Sequence, residues 1–423
     1  MEAGNELAAR TLARVSRRLI PFLFVLYMFA YLDRVNVGYA ALFIRRELHF
    51  SDTVYGTGAG LFFLSYALFE VPSNLILLRV GPRRWIGILM VVWGVISASM
   101  PLAHTPVQFY LLRFLLGAAE AGFFPGIVLY FTFWFPKQLK ALALARFLSA
   151  TAVAGVVGAP LSNLLLRLNG VAGIAGWKWL FVGEGVPSIL LGLLVFRVLT
   201  DVPEEAAWLQ EDERRWLIET LESERSGISI AHSVDLRRVW RNGLMWRLSG
   251  IYFLLSVGLY SLSLWLPVVL KQVSRASEAS VILLTAVPWA VATLVMLTIA
   301  HFSDKRQERR PFLVGSMLGA MLGFGLSAWL VHPGLAIAAL SLAAAGAWGC
   351  LGPFWALPTT MMRGTAAAGG IAIINSAGAL GAFCGPLLMG IVSDATHSFH
   401  AALGTVAVLL LVAAGLSWRL RVA

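Results

Sequence analysis

The stretch "LIPFLFVLYMFAYLDRVNVGYA" (residues 19–40) decides the architecture. It is long enough to cross a bilayer as one helix, for which about 20 predominantly apolar residues suffice. It also holds Asp33 and Arg34 side by side. Each such charge costs about 2.5–3.5 kcal/mol at the centre of a membrane helix and is kept when it faces a cavity or a partner. The segment is too long for a signal-peptide core, it contains two charges, and no small-residue cleavage site follows. It is therefore read as a retained span.

The same apolar pattern recurs along the chain. Of 423 residues, 59% are hydrophobic and 13% charged, against about 25% charged in a soluble domain. Twelve segments qualify as spans: roughly 19–40, 55–78, 84–103, 106–134, 141–166, 178–199, 246–270, 279–302, 312–331, 334–358, 366–392 and 399–420. A β-barrel would show short alternating strands instead. The expected fold class is an all-α integral membrane protein of twelve transmembrane helices.

Lysine and arginine set the expected orientation. With the N-terminus inside, the cytoplasmic loops and termini hold 25 of the 33 basic residues and the outer loops hold six: Arg45, Arg46, Arg167, Lys178, Lys271 and Arg275. The last two, Arg34 and Arg113, lie inside spans. Both termini are expected in the cytoplasm. The longest connection, 201–243, divides six spans from six. Asp201, Pro203, Glu204 and Glu205 suit a helix start, and Trp208, Leu209, Trp216, Leu217 and Leu221 recur near helical spacing, as in a helix lying on the membrane surface. The expected organisation is a six-helix half at 1–200, a linker at 201–243 and a second half at 244–423.

Composition also excludes classes. The net charge of +11 is spread over loops and forms no single patch, so no nucleic-acid partner is expected. Cys350 and Cys384, the only cysteines, lie in apolar segments and read as free buried thiols. No metal-ligand spacing, phosphate loop or nucleophile–base set appears, so neither a cofactor nor an enzymatic activity is expected.

An offset of 226 aligns the halves without gaps. "LRVGPRR" (78–84) falls on "DKRQERR" (304–310), and "VVGAPL" (156–161) on "AFCGPL" (382–387). Arg83 to Pro160 and Arg309 to Pro386 are both 77 residues, as a duplicated six-helix unit requires. Duplicated halves place a binding site at their interface, near mid-membrane.

Twelve spans, a six-plus-six duplication and a basic loop between spans 2 and 3 resemble the major facilitator superfamily over nearly the whole chain. More closely, "YLDRVNVGYA", "FEVPSNLIL", "RFLLGAAEAGFFPG", "GWKWLFVGEGVPSILLG", "LYSLSLWLP", "FWALPT" and "AAGGIAIINSAGALGAFCGP" are similar to the anion:cation symporter family, and within it to bacterial tartrate, hydroxyphenylacetate and phthalate permeases. The resemblance implies proton-coupled transport of an organic anion by alternating access. It also implies functional roles for the charged positions of spans 1 and 4, and a substrate contact at Asn375. The family's loop motif is only partly kept: Asn74 and Leu78 stand where Gly and Asp are usual, while Arg79, Gly81, Arg83 and Arg84 match or nearly match. Asp304 occupies the equivalent place in the second half.

The residues themselves point the same way. Arg113 and Glu120 are seven apart, two helical turns on one face of span 4. Span 1 runs oppositely, so the depths of Asp33 and Arg34 match theirs. Tyr27, Tyr31, Arg34 and Gly38 share one face of span 1. Arg34 and Arg113 supply guanidinium forks suited to a carboxylate, with Tyr31 and Tyr66 as further substrate contacts. Asp33 and Glu120 are the candidate proton carriers: burial disfavours their charged form, a nearby guanidinium favours it, and a bound carboxylate shifts that balance. Glu70 reads as a gate residue, Glu184 as an interfacial partner of Lys178, and His301 as a structural residue. In the second half, Trp355 and Asn375 are the expected substrate contacts, among aromatic residues that include Tyr260 and Trp289.

The expected function is proton-coupled symport that imports a small organic carboxylate across a bacterial inner membrane, by a monomer whose partners are that acid, protons and the lipid bilayer. The alternatives are a proton-driven efflux pump for amphipathic compounds, which two buried arginines disfavour, and a carboxylate sensor, which would need an output domain.

Overall fold

The structure is a computed structural model that describes residues 2–226, 243–274, 276–330, 332–361 and 365–420. Arg275, Arg363 and Arg421 of the charge tally, and linker residues 227–242, lie outside the described residues. The described residues contain helices and no strand.

Span 1 is Glu2–Glu47, span 2 Asp52–Val80 and span 3 Pro82–Ala98. Span 4 is the pair Pro106–Glu120 and Phe123–Trp134, span 5 is Lys137–Leu166 and span 6 Gly176–Val198. Span 7 is Gly243–Val273, span 8 the pair Glu278–Leu284 and Ala286–Arg306, and span 9 Arg310–Ser327. Span 10 is the pair Pro333–Gly349 and Leu351–Met361, span 11 Thr365–Thr396 and span 12 Phe399–Trp418. Eleven of these are long and apolar enough to cross a membrane by length and composition. Span 9, an 18-residue helix that opens on Arg310, is the exception, and it packs along spans 10 and 12.

Local chemistry explains the helix starts. Ser51 Oγ accepts from Val54 N at the head of span 2. Thr105 and Gln108 form a reciprocal capping box at the head of span 4, with Pro106 in the first turn. Span 4 breaks just after Glu120, at Ala121–Gly122, where Gly122 packs against the Ser73 side chain of span 2. Broken helices at membrane depth are tolerated where they are buried in protein or line a cavity.

Between the halves, span 2 packs on span 11, span 1 on span 7 and span 5 on span 8. Glycines set the closest approaches: Gly56 faces the Pro386 carbonyl, Gly60 the Phe383 carbonyl and Gly390 the backbone of Asp52. Polar contacts reinforce the same end. Tyr55 Oη donates to Leu264 O at 2.9 Å and Trp265 Nε1 to Pro386 O at 3.1 Å. The Asp394 carboxylate accepts from the backbone N–H groups of Asp52 and Thr53 at 3.1 and 2.7 Å. This end of the interface is sealed largely by main chain.

The linker departs from expectation. The expected helix start yields only a single 3₁₀ turn, Pro203–Glu205, capped by Val202 and not Asp201; the linker's α-helix begins at Glu211, and its apolar face covers protein rather than lying free on a membrane surface. Leu209, Leu217 and Leu221 are buried, and the Trp208 ring stacks on Trp134 at 5.4 Å. The Glu213 carboxylate, fully buried, accepts from Arg10 at 3.1 Å and Arg14 at 2.7 Å of span 1. Asp201 serves elsewhere, accepting from Arg83 N at 2.7 Å beside Gly81, whose φ of +91° suits glycine alone. An Asp thus reaches the loop between spans 2 and 3 from the end of span 6, at the loop whose own motif has Leu78 in place of Asp.

Candidate functional site

A cavity of about 510 Å³ lies between the halves. Span 1 contributes Tyr27 and Arg34, span 2 Phe63, Tyr66 and Glu70, and span 4 Phe124 just beyond its break. The second half contributes Tyr252, Ser256 and Tyr260 of span 7, one helical turn apart in each step, with Trp355 of span 10 and Asn375 of span 11.

Arg34 is the cation on this wall. Its Nη2 donates to Glu120 Oε2 at 3.3 Å, with the Arg34 side chain 14% exposed and Glu120 1%. The pair is incompletely satisfied: Arg34 Nε and Glu120 Oε1 are buried without a partner. The guanidinium lies 5.1 Å from the Tyr66 ring centre and 5.6 Å from that of Phe62. A single long bond to one carboxylate oxygen leaves this cation with donor capacity for a second anion.

The other expected residues are distributed as follows. Tyr66, Trp355 and Asn375 line the cavity. Asn375 Nδ2 donates to Glu70 Oε2 at 3.2 Å, so Glu70, read from sequence as a gate residue, bridges spans 2 and 11 on the cavity wall itself. Tyr31 lines a neighbouring chamber of about 200 Å³ with Trp289 and Trp348, and Tyr252 and Tyr260 border both spaces. Arg113 does not reach the cavity. It is fully buried, donates to the Gly58 and Ala59 carbonyls at 3.4 and 3.3 Å, and lies 5.0 Å from the far-side ring of Phe62. Asp33 is fully buried among spans 1, 3 and 6, where Ser97 and Ser188 hydroxyls donate to it at 2.7 and 2.8 Å.

Glu184 is not the interfacial partner of Lys178. Lys178 pairs with Glu47 at 3.8 Å, and Glu184 is fully buried. The lysine precedes the glutamate by six residues, which places them on different faces of one helix. Tyr252 and Ser256 escaped the sequence reading; their signal was a polar residue every fourth position along apolar span 7. Among the described residues no cluster of ligands able to hold a metal occurs, and Cys350 and Cys384 are free.

A model described as Major Facilitator Superfamily matches residues 23–371. A protein of Agrobacterium vitis named "Putative tartrate transporter" is 44% identical over 416 residues, covering 97% of this chain and 91% of its own. A "Quinolone resistance transporter" of Acinetobacter baumannii is 36% identical, covering 94% of this chain and 92% of its own. Among solved structures, a bacterial homologue of the human lysosomal transporter Spinster superposes with a TM-score of 0.82 at 18% identity, over 96% of each chain.

Proposed function

The chain belongs to the Major Facilitator Superfamily, and from that premise we propose that this multi-pass transporter imports a small organic carboxylate together with protons, by alternating access of its two halves across a bacterial inner membrane, with both termini in the cytoplasm. The observation that carries the reading is the half-satisfied Arg34–Glu120 pair on the cavity wall.

A carboxylate entering the cavity takes the free donors of Arg34, with Tyr66, Trp355 and Asn375 enclosing the rest of the molecule. Glu120, with its bonded cation drawn to the substrate in a dry site, then takes up a proton, because an unpaired buried carboxylate is disfavoured. Substrate and proton bind together for that reason. Arg113 adds positive field from behind Phe62, Tyr31 flanks the site from the side chamber, and Asp33 is the second coupling carboxyl. The relative named for tartrate supports an organic acid as cargo.

The test is uptake into proteoliposomes under an imposed pH gradient. Accumulation that follows the gradient, and is lost in Glu120→Gln, supports the reading; uptake indifferent to both overturns it. The relative named for quinolone resistance supports a second reading, proton-driven efflux of amphipathic compounds. It predicts that deleting the gene sensitises cells to drugs and leaves growth on organic acids intact, whereas the import reading predicts the reverse.

A further inference from the structure

The cavity wall carries one cation and one acid, and the two stand apart. Among the described residues that line it, Arg34 is the only basic side chain and Glu70 the only acidic one. The Arg34 guanidinium lies 5.1 Å from the Tyr66 ring centre. Glu70 follows Tyr66 by one turn of span 2, about 6 Å along the axis. Arg34 and Glu70 form no ion pair: Arg34 bonds Glu120, and no cation pairs with Glu70 among the described residues.

An amide holds Glu70 in place of a cation. Asn375 Nδ2 donates to Glu70 Oε2 at 3.2 Å and approaches Oε1 at 3.5 Å, across the gap between the halves. The Glu70 side chain is half-buried on the cavity wall. A carboxylate has about four lone-pair sites, so one amide leaves acceptor capacity for a second donor. The other polar side chains on this wall are the neutral hydroxyls of Tyr27, Tyr66, Tyr252, Ser256 and Tyr260.

This distribution of charge discriminates between acids. One carboxylate finds its counter-charge at Arg34. A second carboxylate on the same molecule finds no cation and shares the cavity with Glu70, and like charges brought together without a counter-charge repel strongly. A hydroxyl in the same place meets an acceptor in Glu70 and further hydroxyls around it. We infer that the cargo is a hydroxylated monocarboxylate, with its carboxylate on Arg34 and a hydroxyl on Glu70, and that Glu70 is the selectivity residue that turns dicarboxylates away. The inference rests on the carboxylate reading above and narrows it. Asn375 is the positioning residue, holding the Glu70 carboxylate from the opposite half.

The test compares acids that differ only in the second group, by calorimetry on the purified full chain at neutral pH. Threonate has the hydroxylated chain of tartrate with one carboxylate replaced by a hydroxymethyl group. In 4-hydroxybenzoate a hydroxyl replaces one carboxylate of terephthalate. Wild-type protein is expected to bind the monocarboxylate of at least one pair about tenfold or more tighter than its dicarboxylate partner. Glu70→Gln keeps the size of the side chain and an acceptor for Asn375 but removes the charge. It is expected to bind the dicarboxylate about tenfold tighter than wild type does, so that the preference shrinks or reverses. Glu70→Ser, tested beside it in case the glutamine variant fails to fold, is expected to shift the preference in the same direction. The inference is overturned if wild-type protein binds tartrate and terephthalate as tightly as their partners, or if neither neutral variant gains affinity for a dicarboxylate. Both results leave the carboxylate reading standing. Wild-type protein that binds none of the four acids also overturns the inference, and a screen of a wider carboxylate library then decides separately whether the carboxylate reading stands.

Discussion

Glu120→Gln separates anion binding from proton coupling. In the wild type, Arg34 Nη2 lies 3.3 Å from Glu120 Oε2, and at an effective dielectric constant of 20 that contact corresponds to about 5 kcal/mol of gross attraction. Desolvation offsets much of it, and a charge-assisted bond is worth about 1.5–3 kcal/mol net. A substrate carboxylate that engages the free donors of Arg34 draws the guanidinium from Glu120 and so competes with that bond. Glutamine keeps the shape and removes the charge, so the anion is expected to bind about ten- to a hundredfold more tightly at neutral pH. The sign of the pH dependence follows. Protonating Glu120 releases Arg34, so wild-type affinity rises as pH falls, and the variant's affinity stays flat over the same range. The assay is a thermal-shift screen of purified protein against a carboxylate library, followed by calorimetry on the best ligand at several pH values. A variant that binds no tighter than wild type at neutral pH, and keeps the wild-type slope, would show that Glu120 does not compete with substrate for Arg34.

Asn375→Ala leaves Glu70 without its partner across the cavity, and KM is expected to change by about five- to a hundredfold, read in uptake kinetics. Arg113→Lys keeps the charge but not the bonds to the Gly58 and Ala59 carbonyls; thermal stability should fall while KM is unchanged. Gly56→Ala drives a methyl group into the Pro386 carbonyl; Ser263→Cys, buried in the parent, should then become reactive to a membrane-impermeant thiol reagent in a background lacking Cys350 and Cys384. Glu213→Ala removes the carboxylate shared by Arg10 and Arg14, and limited proteolysis should cut the linker faster.

Apolar length and the matching depths of spans 1 and 4 were enough to foresee the helices and the meeting of Arg34 with Glu120, because both follow from rise per residue and antiparallel direction. The azimuth of a side chain is a different matter, since it depends on which neighbour each face meets. Arg113 shares a face with Glu120, yet the break after Glu120 and the Phe62 ring put it behind the cavity wall. Glu184 looked superficial because Lys178 is near in sequence, while its surroundings come from spans 1 and 3, which no local pattern encodes. Asp201 was legible only as a helix cap; its bond to Arg83 N spans 118 residues. Tyr252 and Ser256 gained meaning only once span 7 was known to turn that face to the first half.

The sealed end of the interface has a consequence for how such a carrier can change. There, glycines meet carbonyl oxygens, and those oxygens belong to the peptide backbone whatever residue occupies the partner position. In the proposed transport cycle selectivity rests, in contrast, on replaceable side chains around Arg34. Mutation can therefore retune what is carried while the door that closes behind it keeps the same hinge and latch.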